Sequence, residues 1–196
     1  MPAKGPRRLR GSPRRPRPER EQLTRYFVGT EGQGERALAR WIESLCEDAG
    51  YHIFFDIPEV GPGGGSTLIV VQRTLTNRNH SRHGPYFRTL VFLDADRRTA
   101  DGPDAEMLAH RERIHLVWQT PNLEGLLLRL FPGQENRKPP ADQTLNELKR
   151  YWSNYEKNKI GRADLKERFS LSDLHRASRF DNDLLILLRE LRLDDV

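Results

Sequence analysis

The sequence is poor in cysteine and contains no long apolar run. Cys46 is the only cysteine among the 196 residues, which excludes a disulfide framework and a zinc site built on several cysteines. No apolar segment approaches the roughly 20 residues that a membrane-spanning helix needs, and the arginine-rich start lacks the apolar core of a signal peptide. We therefore predict a soluble protein located in the cytoplasm.

The positive charge of the sequence is concentrated at its beginning. Residues 1–20 carry a net charge of +7, whereas the whole chain carries +5, so the remaining residues carry −2. Residues 1–22 are rich in proline and arginine and are predicted to form a disordered basic arm. Such an arm binds phosphate backbones through counterion release, and a merely solubilising tail is the alternative. The arginines assigned to nucleic-acid binding are Arg7, Arg8, Arg10, Arg14, Arg15 and Arg17.

Strand-like and helix-like segments alternate over residues 23–142. Short runs rich in β-branched and aromatic residues are typical of strands, and apolar residues at helical spacing predict the helices between them. The alternation predicts an α/β domain with a central parallel sheet and helices on both faces. One helix is ambiguous, because residues 68–71 are equally compatible with a strand. The predicted strands are residues 25–30, 51–57, 89–94 and 114–118, and the predicted helices are residues 38–49, 66–76, 104–113 and 122–131.

The strand signal vanishes from Gln143 onward. Apolar side chains at helical spacing in residues 143–196 predict a C-terminal helical cap that packs on the same domain. One of its helices has apolar residues on nearly all faces, which favours either a docking surface for a partner protein or burial inside the domain. These residues are Leu184, Leu185, Leu187, Leu188 and Leu191.

Acidic residues end two of the predicted strands. Glu31 follows the first strand, and Asp94 ends the third, with Asp96 two residues further on. Ligands of an open parallel sheet sit at the carboxyl ends of its strands, where these carboxylates can share one hard cation. In extended geometry the side chains of Asp94 and Asp96 lie on the same face. The alternative is that these acids merely end strands or cap helices.

Four motifs follow one another along the chain: Glu31-Gly32-Gln33-Gly34-Glu35, Leu93-Asp94-Ala95-Asp96, Pro121-Asn122-Leu123-Glu124 and Tyr155-Glu156-Lys157. Together they resemble the motifs of Toprim-fold proteins, and more narrowly those of the RloB-like and related Toprim-like proteins of bacterial restriction and phage-defence loci. The resemblance covers residues 24–192. It implies a Toprim-like sheet, a Mg²⁺ (or Mn²⁺) cofactor and nuclease activity. Because RloB-like proteins commonly accompany ATPases, it also implies an ATPase partner encoded nearby.

The remaining candidates are predicted to surround the metal ligands Glu31, Asp94 and Asp96. Following the resemblance, Glu31 shares the metal or accepts a proton from the attacking water. Glu35 and Glu124 are assigned to an outer layer of the site or to a second metal, and Lys157 to neutralising charge on a phosphoryl oxygen. The alternative for Glu35 and Glu124 is that they only stabilise helix starts, where acids are favoured. The alternative for Lys157 is a solvated surface lysine, as most lysines are.

The leading functional hypothesis is a Mg²⁺- or Mn²⁺-dependent nuclease that hydrolyses nucleic-acid phosphodiesters in a bacterial anti-phage or restriction-linked system. The alternative is a noncatalytic subunit that binds nucleic acid or an ATPase on the same scaffold. A third hypothesis is phosphoryl transfer to a small molecule, but the sequence contains no nucleotide-binding motif that would support it. The run Gly61–Gly65 does not contain the lysine and hydroxyl residue of a P-loop.

Overall fold

A computed structural model of the chain describes residues 23–58 and 65–194. The predicted basic arm, with all six of its assigned arginines, lies outside the described residues, as does most of the run Gly61–Gly65. The described part is an α/β structure in which a parallel sheet is flanked by helices. This confirms the fold class expected from the alternating pattern.

Strands and helices alternate up to β4, after which every regular element in the described part of the chain is helical. A short 3₁₀ helix, Ala95–Arg97, separates β3 from α3. The strands are β1 (Thr24–Thr30), β2 (Ile53–Asp56), β3 (Arg88–Asp94) and β4 (Ile114–Gln119), and the helices are α1 (Gln33–Asp48), α2 (Thr67–His80), α3 (Arg98–Arg111), α4 (Leu123–Arg129), α5 (Thr144–Tyr151), α6 (Arg162–Arg168), α7 (Leu171–Ser178) and α8 (Asn182–Glu190).

All four strands are parallel, in the order β2-β1-β3-β4. β1 and β3 are therefore neighbours, and Thr30 pairs with Phe92 near the carboxyl ends of these strands. β3 and β4 are also neighbours, and their last residues, Asp94 and Gln119, pair with each other. The residues that follow β1, β3 and β4 consequently meet at one edge of the sheet.

The two faces of the sheet are covered by different helices. Successive strand residues point to opposite faces, and the buried residues fall into two hydrophobic clusters accordingly. Phe92 belongs to a cluster that includes Trp41 of α1 and apolar residues of the C-terminal helices, whereas Leu93 belongs to a cluster that includes Val71 of α2 and Ala105 of α3. The alternation along β3 thus places α1 and the C-terminal helices on one face and α2 and α3 on the other.

The leucines of α8 are buried within the chain's own core. α8 packs against β4, and the phenolic hydroxyl of Tyr26 in β1 donates a hydrogen bond to the carbonyl oxygen of Glu190 at 3.1 Å. Docking of a partner through these leucines is therefore the wrong interpretation, and burial is the right one. Four of the five are buried: Leu184, Leu187, Leu188 and Leu191.

Two helix starts follow from side-chain capping. The hydroxyl oxygen of Ser66 accepts a hydrogen bond from Ile69 N at 3.4 Å, and the amide oxygen of Asn122 accepts one from Gly125 N at 3.0 Å. Both residues therefore act as N-caps. The alternative of a strand over residues 68–71 is wrong, because these residues lie inside α2.

Some predicted boundaries differ from the structure. The second strand covers only Ile53–Asp56, and α3 begins at Arg98 rather than near residue 104. Gly102 and Pro103 disfavour a helix interior, yet both lie inside α3, where Pro103 is the sixth residue. No described helix is long and apolar enough to cross a membrane.

Candidate functional site

Asp94 is the central carboxylate at the carboxyl edge of the sheet. It ends β3, and its Oδ1 atom accepts a hydrogen bond from Leu123 N at the start of α4, at 3.0 Å. Burial, together with the nearby charges of Glu35, Glu31 and Asp96, raises the pKa of Asp94 to about 8. Ionisation of Asp94 is therefore unfavourable at this site, and a bound cation would make it more favourable.

Glu31 reaches Asp94 from the neighbouring strand. It directly follows β1, which pairs with β3, and its Oε2 atom accepts a hydrogen bond from Asp94 N at 3.5 Å. This distance is long for a hydrogen bond, so the contact shows proximity more than strength. The structure thus brings together the two acids that the sequence places at the ends of separate strands.

Asp96 occupies a different position from the one its spacing predicts. The chain leaves the extended conformation after Asp94 and enters the 3₁₀ helix, with Asp96 N donating a hydrogen bond to Pro121 O at 2.8 Å. The expectation that Asp94 and Asp96 share a strand face is therefore wrong, because the turn replaces the extended geometry. Asp96 is exposed, and its charge still contributes to the raised pKa of Asp94.

Glu35 is a buried carboxylate in the first turn of α1. Burial raises its pKa, as do the charges of Glu31 and Glu124, while hydrogen bonds with the backbone at Glu35 and Gly32 act in the opposite direction. A Cβ atom at Gly32 would lie 2.9 Å from Glu35 Oε2. The glycine therefore leaves room for the carboxylate over the helix start.

Glu124 is the most deeply buried of these acids, with only 1% of its surface exposed. Its Oε1 atom accepts a hydrogen bond from the Tyr155 hydroxyl at 3.1 Å and lies 3.6 Å from Nζ of Lys157. Burial and the charge of Glu124 raise the pKa of Tyr155. The segment after α5 thus brings a phenol and a largely exposed ammonium group to the edge where Glu124 lies.

Lys157 and Lys159 differ sharply in their surroundings. The Nζ atom of Lys159 lies 2.5 Å from Glu156 Oε2, and both of these side chains are exposed. Asn158, between the two lysines, has a left-handed backbone with φ of 65°, and its Oδ1 atom approaches Gly32. Lys157 is therefore the lysine that contacts an acid of the site, whereas Lys159 forms a surface ion pair.

Two polar residues at the same edge are missing from the sequence prediction. Gln119 ends β4 beside Asp94 and is only 1% exposed, yet neither its Nε2 nor its Oε1 atom has a hydrogen-bond partner. The hydroxyl of Thr30, the last residue of β1, is also buried without a partner. Buried polar atoms are nearly always paired, so these atoms indicate where a bound polar group would fit. The signal in the sequence is a polar residue ending each strand.

The donor chemistry of this edge fits Mg²⁺ or Mn²⁺. Its acids supply only oxygen atoms, which these hard cations prefer, and the raised pKa of Asp94 shows that its negative charge lacks compensation. Within residues 23–58 and 65–194, however, no group of three or more His, Cys, Asp or Glu side chains has the arrangement of a metal site. The carboxylates thus approach one another without forming a complete ligand set.

Comparison of the chain with protein-family models, with curated proteins and with solved structures finds no match.

Proposed function

We propose that the protein is a Mg²⁺-dependent (or Mn²⁺-dependent) nucleic-acid phosphodiesterase of Toprim type. The observation that carries the proposal is the approach of Glu31 to Asp94 at the ends of adjacent parallel strands, with the pKa of Asp94 raised to about 8. Acids crowded in this way are typical of sites that hold a cation. The resemblance of the sequence motifs to RloB-like proteins supports a role in bacterial anti-phage or restriction-linked defence.

In this proposal, Glu31, Asp94 and Asp96 hold the cation. The cation, when bound, supplies charge neutralisation and lowers the pKa of a coordinated water. The amide of Leu123 orients the carboxylate of Asp94 through the hydrogen bond to Oδ1. Glu31, which is only partly buried, either shares the cation or accepts a proton from the attacking water.

The C-terminal part of the chain, from Gln143 onward, acts as a cap in this proposal, and its contribution is Lys157. Its Nζ atom lies 3.6 Å from the buried Glu124, while more than half of the side chain is exposed. A lysine held in this way can neutralise the charge that develops on a phosphoryl oxygen. Glu124 and Tyr155 are thus positioning residues that act through Lys157.

The proposal also includes an ATPase partner encoded nearby. Only the resemblance of the sequence motifs to those of RloB-like proteins supports this partner. Because α8 buries its leucines within the domain, the partner would have to contact another surface. The second candidate function, a noncatalytic subunit that binds nucleic acid or an ATPase, is favoured by one observation. The described residues contain no complete metal-binding group.

A cleavage assay tests the proposed function. Fluorescent DNA and RNA oligonucleotides are incubated with the wild type, Asp94→Asn and Asp104→Asn in Mg²⁺, in Mn²⁺ and in EDTA. Asp104 is an exposed residue of α3 and controls for the loss of one carboxylate. We expect cleavage by the wild type and Asp104→Asn only with a divalent cation, and none by Asp94→Asn.

Undiminished cleavage by folded Asp94→Asn would refute the proposed site. Absence of cleavage by the wild type under all conditions would favour the noncatalytic alternative.

A further inference from the structure

Three adjoining cavities lie at the amino end of the sheet, opposite the acids. Their volumes are about 690, 450 and 420 Å³, and Phe87 and Arg88, at the start of β3, line all three. We call the three cavities together the basic groove. Its cationic and histidine side chains come from distant parts of the chain: His52, Arg78, Arg88, His110, Arg113, His115, Arg189 and Arg192.

The basic groove carries a positive charge that the protein compensates only in part. The largest cavity is lined by Arg88, Arg113, His110 and His115 and by no acidic residue of the described part of the chain, whereas Glu112 lines the third cavity beside Arg113. Glu190, in the second cavity, forms an ion pair with Arg88 at 2.7 Å. No ion pair joins Arg113 to a carboxylate of the described residues, so its guanidinium is available to an anion.

Two arginines of the groove occupy backbone positions that favour glycine. Arg113 and Arg192 follow α3 and α8 and have φ angles of 54° and 57°. At the corresponding position after α1 the chain uses Gly50, with φ of 82°, as is usual where a helix ends in the left-handed conformation. The chain therefore keeps a charged side chain at two positions where glycine would be less strained.

An exposed aromatic ring lies at the centre of the groove. Phe87 is 64% exposed, its ring packs edge-on against Tyr26, and the guanidinium carbon of Arg88 lies 5.9 Å from the ring centroid. Proteins that bind single strands combine a basic groove for the backbone with aromatic rings on which bases stack. A phenyl ring beside several guanidinium groups has both components.

We propose that the basic groove binds single-stranded nucleic acid, with Arg113 and Arg192 contacting phosphates and Phe87 stacking on a base. The inference deepens the proposed function, on which the choice of nucleic acid as the anionic partner rests. β3 separates Arg88 from Asp94 by six residues, which corresponds to about 20 Å of strand. The groove and the acids therefore lie at opposite ends of the sheet.

Equilibrium binding in EDTA tests this proposal without requiring catalysis. Fluorescein-labelled oligo(dT) and oligo(U), each of about twenty nucleotides, are titrated with the full-length protein, and anisotropy is recorded at several salt concentrations. The salt slope falls by about 0.7 for each lost phosphate contact on a single strand. For Arg113→Gly/Arg192→Gly we therefore expect a slope shallower by about 1.4 and an unchanged or higher melting temperature.

The matched control is Arg73→Ala/Lys138→Ala, which removes two positive charges from exposed residues outside the groove. We expect this control to bind nearly as tightly as the wild type. We expect Phe87→Ala to weaken binding by roughly 5- to 150-fold, the range typical of one stacked base. A duplex of the same sequence should be insensitive to Phe87→Ala, because its bases are already stacked.

Equal affinity of the groove variant and the charge control would overturn the proposal. So would a wild type that does not bind either oligonucleotide, or a groove variant whose loss of affinity is fully explained by a lower melting temperature. The proposed function fails separately, through absence of cleavage by a protein that still binds the oligonucleotides in the groove.

Discussion

The two ends of the four-stranded sheet present opposite chemistry. At the carboxyl end, Glu31, Glu35, Asp94 and Glu124 crowd together, and the pKa values of Glu35 and Asp94 are raised by burial and by neighbouring acids. At the amino end, arginines and histidines surround the exposed ring of Phe87. A parallel sheet produces this separation directly, because all strand ends of one kind lie on the same side.

The net charge of the residues after the first twenty does not reveal how acidic and basic residues are divided between the two ends of the sheet. Residues after the first twenty carry a net charge of −2, which indicates no preference for an anionic partner. The fold nevertheless collects acids at one end of the sheet and basic residues at the other. The distribution of charge along the sequence predicts that the basic character belongs to residues 1–20 alone. The fold adds a second basic region, at the amino end of the sheet.

Stability should depend on pH through the acidic end. The pKa of Asp94 is raised from 3.8 to about 8, so the folded state holds the proton more tightly than the unfolded state. The favourable contribution is fully present below about pH 4 and is lost as the pH rises through 8. Even reduced for partial exposure, the loss is on the order of a few kcal/mol.

Urea unfolding of the wild type and Asp94→Asn between pH 4 and pH 9, without divalent cations, measures this contribution. We expect the wild type to lose stability relative to Asp94→Asn as the pH rises. Parallel pH profiles for the two proteins would show that Asp94 is not electrostatically destabilised.

Activity should distinguish the two neighbouring lysines. Lys157 contacts the buried Glu124, whereas Lys159 pairs with the exposed Glu156. If Lys157 supports the reaction, Lys157→Ala should lower the rate of cleavage by roughly 10- to 100-fold, as is typical of groups that support a metal site. Lys159→Ala should leave it nearly unchanged, and equal effects of the two substitutions on cleavage would argue against a specific role for Lys157.

The smallest expected effect concerns backbone strain at the amino end. Gly50 and Arg113 both end helices with positive φ, but only Arg113 carries a Cβ atom. Gly50→Ala should lower the free energy of unfolding by about 1 kcal/mol, although a Cβ atom there meets nothing within 4 Å. Arg113→Gly should not lower it, and this pair of unfolding measurements is the check. A marked loss of stability in Arg113→Gly would show that the arginine is retained for the fold.

Local signals in the sequence account for most of the fold. The alternation of strand-like and helix-like segments predicts the order of elements and the parallel sheet. The sequence leaves open whether α8 is buried, because a helix that is apolar on all faces suits a core and an interface equally well. Only the packing against β4 decides between them.

The candidate site is less completely encoded in local sequence. Glu31 and Asp94 are visible because each ends a strand, but the partnership of Tyr155 with Glu124 spans 31 residues and depends on the C-terminal helices. Gln119 becomes relevant only through its register with Asp94. The basic groove could not be predicted, since its residues come from segments that only the sheet brings together.

Isothermal titration calorimetry with Mg²⁺ and Mn²⁺ tests the central claim most directly. The wild type is compared with Asp94→Ala, and Asp104→Ala serves as the control for an exposed carboxylate in α3. We predict saturable binding of a divalent cation by the wild type and the control, and none by Asp94→Ala. Binding of equal strength by all three proteins, or no binding by the wild type, would contradict a cation site at the carboxyl edge of the sheet.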